Sequence, residues 1–156
     1  MIPRRPPNTP ELDIGMVYVP CFELAGDFFD FIPLGENNLG IAVCDVVGKG
    51  VRASLLMASI RASLRAHASY VYELSEVVGH VNRDLCSETA TSDFATLFYG
   101  VIDTQSDVFT YVNAGHMPAL LVRDGQCVEL DTSGGIIGLD EESQWSHRSV
   151  QLQPGQ

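Results

Sequence analysis

Positive charge is the scarcest feature of this sequence. Lysine occurs once, at Lys49, and lysine plus arginine number 9 against 20 aspartates and glutamates, a formal charge of -11. A chain this acidic has no general grip on phosphate backbones or anionic lipid, so nucleic acid and membrane surfaces are not expected partners. Long apolar runs are missing as well. Nothing approaches the roughly 20 residues that a membrane-spanning helix needs, so no membrane insertion of this domain is expected. The opening MIPRRPPNTPELD has two arginines but no apolar stretch behind them, unlike a secretory signal. The cysteines Cys21, Cys44, Cys86 and Cys127 are widely spaced, with no CxxC and no histidine at ligand spacing. That suggests neither a thiolate zinc site nor a disulfide framework, and favours buried free thiols in a reducing, cytoplasmic setting.

What is present suits one globular domain. Over 156 residues, 46% are hydrophobic and 19% charged, enough for a single core and too little for two ordinary domains. The proline-rich residues 1–10 read as a linker to the rest of a longer protein, and residues 11–156 as the domain. Ile14 to Val19 is rich in β-formers and stops at Pro20, the pattern of an edge or first strand. Asp27 to Leu34 and Asn38 to Val46 flank GENN, a turn signal, and form a hairpin. After GKG, Val51 to His67 has a helical composition, apolar around most of its circumference, with Arg61 and Arg65 on a narrower polar side. Tyr72 to Ser87 repeats apolar residues at 3–4 spacing and is a second helix. Phe94 to Ile102, Val108 to Asn113, Ala119 to Arg123, Cys127 to Leu130 and Ser149 to Leu152 then read as strands, with an apolar patch at Ile136 to Leu139. Hairpin-linked strands around a helix pair define an α+β fold.

Carboxylates collect at one end of the hairpin. With the turn near Glu36 to Asn38, Asp27 lies opposite the neighbourhood of Asp45, and Asp30 follows on the same strand. Converging carboxylates repel unless a cation joins them, and an all-oxygen site suits Mg²⁺ or Mn²⁺. Acids at strand ends can equally be solvated turn caps. Gly48 and Gly50 allow a tight turn into a helix N-terminus whose N–H groups can meet a phosphate, with Lys49 between them. GKG alone is not a Walker motif, and a plain connector has the same sequence. There is no GxSxG to support a nucleophilic serine. His116 in NAGHMP reads as fixing a shaped turn by hydrogen bonds, with a catalytic role as the alternative. His67, His80 and His147 lack partners at readable spacing and read as surface or helix-face residues. Five of the nine cations, Lys49, Arg52, Arg61, Arg65 and Arg83, fall in one central stretch that could meet an acidic partner surface.

Taken in order, AGDFFDF, IAVCDVVGKGVRASLLMA, FATLFYGVID, YVNAGHMPALLV and GGIIGL resemble the SpoIIE-like (RsbU-like) branch of the PPM-type metal-dependent serine/threonine phosphatases, from about residue 14 to 139. The resemblance implies an α-β-β-α sandwich of two antiparallel sheets flanked by helices, with two Mn²⁺ or Mg²⁺ ions at one end. It implies Asp27 and Asp45 as metal ligands acting through water activated at the metals, Asp45 bridging both ions, and Val46 contributing its backbone carbonyl. Asp30 matches the second acid of the GDxxD string and takes a supporting place beside the ligands. Gly48, Lys49 and Gly50 take a regulatory or phosphate-proximal place. The implied reaction is in-line hydrolysis of phosphoserine or phosphothreonine with no covalent phosphoenzyme. The implied substrate is a phosphorylated STAS-domain anti-anti-sigma factor in bacterial signal transduction. An N-terminal sensor or receiver domain in the parent protein and a homodimer complete the expectation.

The sequence departs from the family pattern in two places. Ala25 stands where the GGD string has its first glycine. The family continues past an LxPG string into TDG and a later acidic motif, whereas this sequence ends at Gln156 before both, and so reads as a member truncated at the C-terminus. That leaves a reading of a different class: a catalytically incomplete regulatory or protein-binding module that engages a partner through Val51 to Ser87. A nucleotide cyclase, from the likeness of AGDFFDF to a GGDEF turn, does not fit, because here GENN makes the turn.

Overall fold

A computed structural model describes residues 2–19, 26–89 and 93–155; Cys21 and Ala25 lie outside them. The described elements run β1 (Phe28–Pro33), β2 (Asn38–Val46), α1 (Gly50–Ala68), α2 (Leu74–Glu88), β3 (Ala95–Asp103), β4 (Val108–Ala114), β5 (Ala119–Arg123), β6 (Gln126–Leu130) and β7 (Arg148–Gln151). Strands β1-β2-β3-β4-β7 form one antiparallel sheet in that order, and β5-β6 form a second, two-stranded one. The α+β architecture read from the sequence is the one observed.

Local chemistry sets the register. In the GENN turn Gly35 takes φ +86, a left-handed conformation that glycine adopts without strain, and the Leu34 N–H donates to the Asn38 carbonyl at 2.9 Å. This pairs Phe28 with Cys44 and Pro33 with Leu39. Side chains then alternate: Phe28, Asp30 and Ile32 face one side of the sheet, Phe29 and Phe31 the other. On the first side α1 packs over β1 and β2, and α2 over β3 and β4. Met57, Ile60 and Leu64 from α1 and Val77, Val78, Val81 and Leu85 from α2 close over Phe28, Ile32, Ala42, Cys44 and Val46. Each such buried side chain contributes roughly 1.5–3 kcal/mol by leaving water. On the second side Phe98 and Tyr111 stack at 5.4 Å and are covered by Leu130, Ala119 and Leu121 of the β5-β6 hairpin. The layers are thus helix pair, large sheet, small sheet. Among the described residues no helix is long and apolar enough to cross a membrane.

Several sequence expectations are corrected. Ile14 to Val19 is not a strand: no described residue pairs with it, and Val17 and Val19 stand exposed. Tyr18 holds this segment to β1 instead, its hydroxyl donating to the Asp27 carbonyl at 3.2 Å and its ring lying 6.0 Å from that of Phe29. In the proline-rich opening segment, Ile2 packs against the main core. Only Cys44 among the described cysteines is buried; Cys127 on β6 is exposed.

Three histidines have partners from distant parts of the chain. His67 on α1 places Nε2 2.8 Å from Asp84 Oδ2 on α2, receives Tyr70 at Nδ1 (2.7 Å), and stacks on His80 at 4.7 Å. Burial alone would push Asp84 up, but the Ser63 hydroxyl at 2.6 Å and His67 outweigh it and hold its carboxyl below the ordinary range. His147, before β7, meets Glu73 at the start of α2 at 2.7 Å.

Glu73 makes a pH prediction. The Ser75 hydroxyl, at 2.7 Å, and then His147 lower its pKa in the folded state. A carboxyl depressed by folding contributes stability above its unfolded pKa, about 4.3, and loses it as pH falls through the folded value. Glu73→Gln is therefore expected to lower the urea midpoint at pH 7 and to match wild type in strong acid. An offset that persists unchanged into acid would show the carboxylate's charge to be irrelevant.

Candidate active site

The hairpin brings Asp27 and Asp45 together. Asp27 stands one step beyond the Phe28–Cys44 pair, and Asp45 takes the matching step at the end of β2. Both side chains are exposed and face away from the helices. Their carboxyls lie within hydrogen-bonding reach. Burial, the hydrogen bond with Asp45 and repulsion by Asp45 all raise the Asp27 pKa, against a lowering influence from His116. The Val46 carbonyl oxygen lies against Gly26, where a Cβ would come within 2.9 Å of it; only glycine lets the two backbones approach so closely.

Asp27 and Asp45 line a groove of about 610 Å³ together with Phe29, Phe31, Ile41, Val43, residues 14–19 and His116; Val46 is buried behind it. The NAGH turn delivers His116. Asn113, buried at the end of β4, accepts the His116 backbone N–H at 2.8 Å through Oδ1, and Gly115 takes φ +67 where a side chain would strike Ile136. The His116 ring reaches Thr96 Oγ1 through Nδ1 at 2.7 Å. Thr96 is the cross-strand partner of Asp45, so the histidine sits across the β2–β3 seam from the carboxylate. Burial lowers the His116 pKa and Asp27 opposes this.

Asp30 does not join the pair. Three residues after Asp27 on an alternating strand, it projects to the opposite face, where it is 0% exposed. Arg65 grips it with two bonds, Nε to Oδ2 at 2.6 Å and Nη2 to Oδ1 at 2.8 Å, and also bonds the Phe31 carbonyl. Arg61 Nη2 donates to Oδ1 at 3.1 Å; its Nε lies 2.9 Å from Oδ2 but is misaligned. The supporting place beside the metal ligands is therefore corrected: Asp30 anchors α1 to β1. Arg61 and Arg65, the narrow polar side of α1, thus reach β1 while Arg65 stays partly in solvent. Arg52 bonds Asp93 at 2.7 Å and Arg83 bonds His80, so most of the central cationic stretch is engaged within the molecule.

Gly48 and Gly50 take φ +98 and +76 in the β2–α1 turn, and Lys49 occupies the N-cap without a side-chain capping bond. None of the three lines the groove. The donor chemistry fits a hard divalent cation: two carboxylates whose repulsion a cation relieves, with a backbone carbonyl nearby, all oxygen. No third acid or histidine completes a ligand cluster among the described residues.

The model of the family described as Stage II sporulation protein E (SpoIIE) matches residues 35–156. The chain belongs to the SpoIIE family. Among SpoIIE-related proteins it is similar to phosphoserine phosphatase RsbU of Bacillus subtilis, 28% identical over 151 residues that cover 96% of this chain. The chain spans 45% of that relative's length. Of solved structures, the RsbU and RsbW domains of Rv1364c from Mycobacterium tuberculosis superpose with a TM-score of 0.74 at 32% identity, over 86% of this chain and 38% of that one. The PP2C phosphatase domain of SpoIIE from Bacillus subtilis superposes at 0.72 with 23% identity, over 83% and 39%, a likeness of fold. The SpoIIE match begins within the GENN turn, so it includes Asp45, Val46 and the NAGH turn, while Asp27 lies just before it.

Proposed function

We propose that this chain carries metal-binding carboxylates of a metal-dependent protein serine/threonine phosphatase. The observation that carries the reading is the Asp27–Asp45 pair, two carboxylates drawn into bonding distance at the mouth of a groove. Membership of the SpoIIE family and similarity to a phosphoserine phosphatase support it. In this reading Asp27, Asp45 and the Val46 carbonyl hold Mg²⁺ or Mn²⁺, with two ions in the complete site. When bound, such ions supply Lewis-acid stabilisation of charge on the phosphoryl oxygens and lower the pKa of water. The protein's own part is to bring the two carboxylates together and to present Phe29, Phe31, Ile41 and Val43 to the polypeptide flanking the phosphoresidue. Gly48, Lys49 and Gly50 link Asp45 to α1 and serve as a regulatory connector. The substrate is a phosphorylated STAS-domain protein in a cytoplasmic partner-switching pathway, with an N-terminal sensor or receiver domain setting activity and homodimerisation as part of its regulation.

The test is phosphate release from a phosphoserine-bearing STAS-domain protein, expected with Mn²⁺ and abolished by chelator. Release indifferent to chelator would count against the reading. A second reading, a regulatory module of the same fold, is favoured by the exposure of Val51 and Leu55 on α1, an apolar patch open to a partner. Calorimetric titration separates the two: saturable Mn²⁺ binding supports the phosphatase, and no binding supports the module.

A further inference from the structure

His116 is held at two points, its backbone N–H and one ring nitrogen, and what they leave over is informative. Its backbone N–H is committed to Asn113 Oδ1, and Asn113 is itself fixed, its N–H donating to Ser133 Oγ at 2.9 Å and its carbonyl accepting the Ser133 N–H at 2.9 Å. The backbone of the turn is therefore rigid. One ring nitrogen, Nδ1, is committed to Thr96 Oγ1. The other, Nε2, has no hydrogen-bond partner among the described residues, on a ring that lines the groove beside Asp27 and Asp45.

The Thr96 hydroxyl, 2.7 Å from Nδ1, both donates and accepts, so the contact runs in either direction according to the tautomer. With Thr96 as the donor and Nδ1 as the acceptor, the imidazole is a neutral ring with its proton on Nε2. A ring in this tautomer cannot offer Nε2 as a cation ligand, since that nitrogen has no free lone pair. It is then a donor lining a groove whose carboxylates, Asp27 and Asp45, are acceptors when ionised.

A tetrahedral phosphoryl group brought to those acceptors by a cation carries acceptor oxygens of its own, which carboxylates repel. A neutral N–H beside the acids is the complementary partner: it bonds one phosphoryl oxygen without competing with the cation. We propose that His116 is a phosphoryl-binding residue, donating from Nε2–H to a non-bridging oxygen of the substrate, with Thr96 as the residue that sets its tautomer and orientation. The proposal deepens the phosphatase reading and rests on it.

Long-range ¹⁵N–¹H spectra of the wild-type chain report the tautomer directly, and inorganic phosphate in the presence of Mg²⁺ is the probe for binding. The expected result is an Nε2–H ring at neutral pH whose Nε2 resonance moves on phosphate addition. His116→Gln sets an amide near the Nε2 position and is expected to keep phosphate affinity within about threefold. His116→Asn and His116→Ala are expected to lose about tenfold, the worth of one hydrogen bond to a charged group. Thr96→Val is expected to release the ring into a mixture of tautomers. An Nδ1–H ring in the wild type, or equal phosphate affinity in all three His116 variants, overturns the histidine's role and leaves the phosphatase reading standing. Absence of any Mg²⁺-dependent phosphate binding by the wild type overturns both.

Discussion

Asp45→Asn is expected to reduce Mn²⁺-dependent phosphate release by about a thousandfold or more, because a metal site supplies several kcal/mol of charge stabilisation and each 1.36 kcal/mol is tenfold in rate. The same change is expected to leave the melting temperature unchanged or slightly higher. Asp45 is exposed, and its carboxylate raises the pKa of Asp27 partly by repulsion. Neutralising it removes an unfavourable interaction from the folded state. Loss of activity without loss of stability separates a functional carboxylate from a structural one. A variant that hydrolyses substrate at the wild-type rate sinks the assignment of the pair.

Asp30→Ala is expected to do the reverse and destabilise the whole domain. The carboxylate is wholly buried and accepts from Arg65, Arg61 and the Phe31 N–H, so its loss leaves the inner sides of two partly buried guanidinium groups without their acceptor. Removing one partner from such a buried network costs about 3–5 kcal/mol, a fall in melting temperature on the order of 10 °C for a domain of this size. Thermal unfolding checks it. A shift under about 2 °C would mean that the arginines find water easily, contrary to the packing described. Replacing Asp30, Arg61 and Arg65 together by apolar residues of similar volume should recover most of the loss, since the uncompensated charge is then gone.

These two aspartates show what the sequence makes legible. The turn at GENN and the hairpin around it were readable because glycine and asparagine between two apolar runs have few other uses, and the hairpin alone brings Asp27 and Asp45 to one place. The parity of FFDFIP was equally readable. An acid an odd number of residues from Asp27 must face the other side of the strand, so Asp30 could have been separated from the pair by counting. Its partners were harder to see, being some thirty positions away on α1. Even there the four-residue spacing of Arg61 and Arg65 marks one face, and a helix apolar around most of its circumference leaves that face little solvent.

Other features could not be read locally. Glu73 and His147 are 74 residues apart, and no spacing rule joins them before the sheet order is known. Ile14 to Val19 has strand composition, but composition makes a strand only where a neighbour supplies the ladder, and among the described residues none does. His116 lay between the two cases. Its turn was legible from asparagine, glycine and proline, whereas its position beside Asp45 depends on β3 lying between β2 and β4.

That sheet order has a consequence for how the groove comes into being. Asp27 and Asp45 belong to one hairpin, β1-β2, and Thr96 and His116 to another, β3-β4 and the turn after it. Each hairpin closes over a short loop, but the β2–β3 seam between them must close over both helices, the connection with the largest entropic cost in the sheet. The acidic half of the groove is thus a local product of the chain, and the histidine half arrives only when α1 and α2 have folded down and drawn the seam shut. The alignment of Thr96 with Asp45 is in this sense a record of complete folding, written in the site itself.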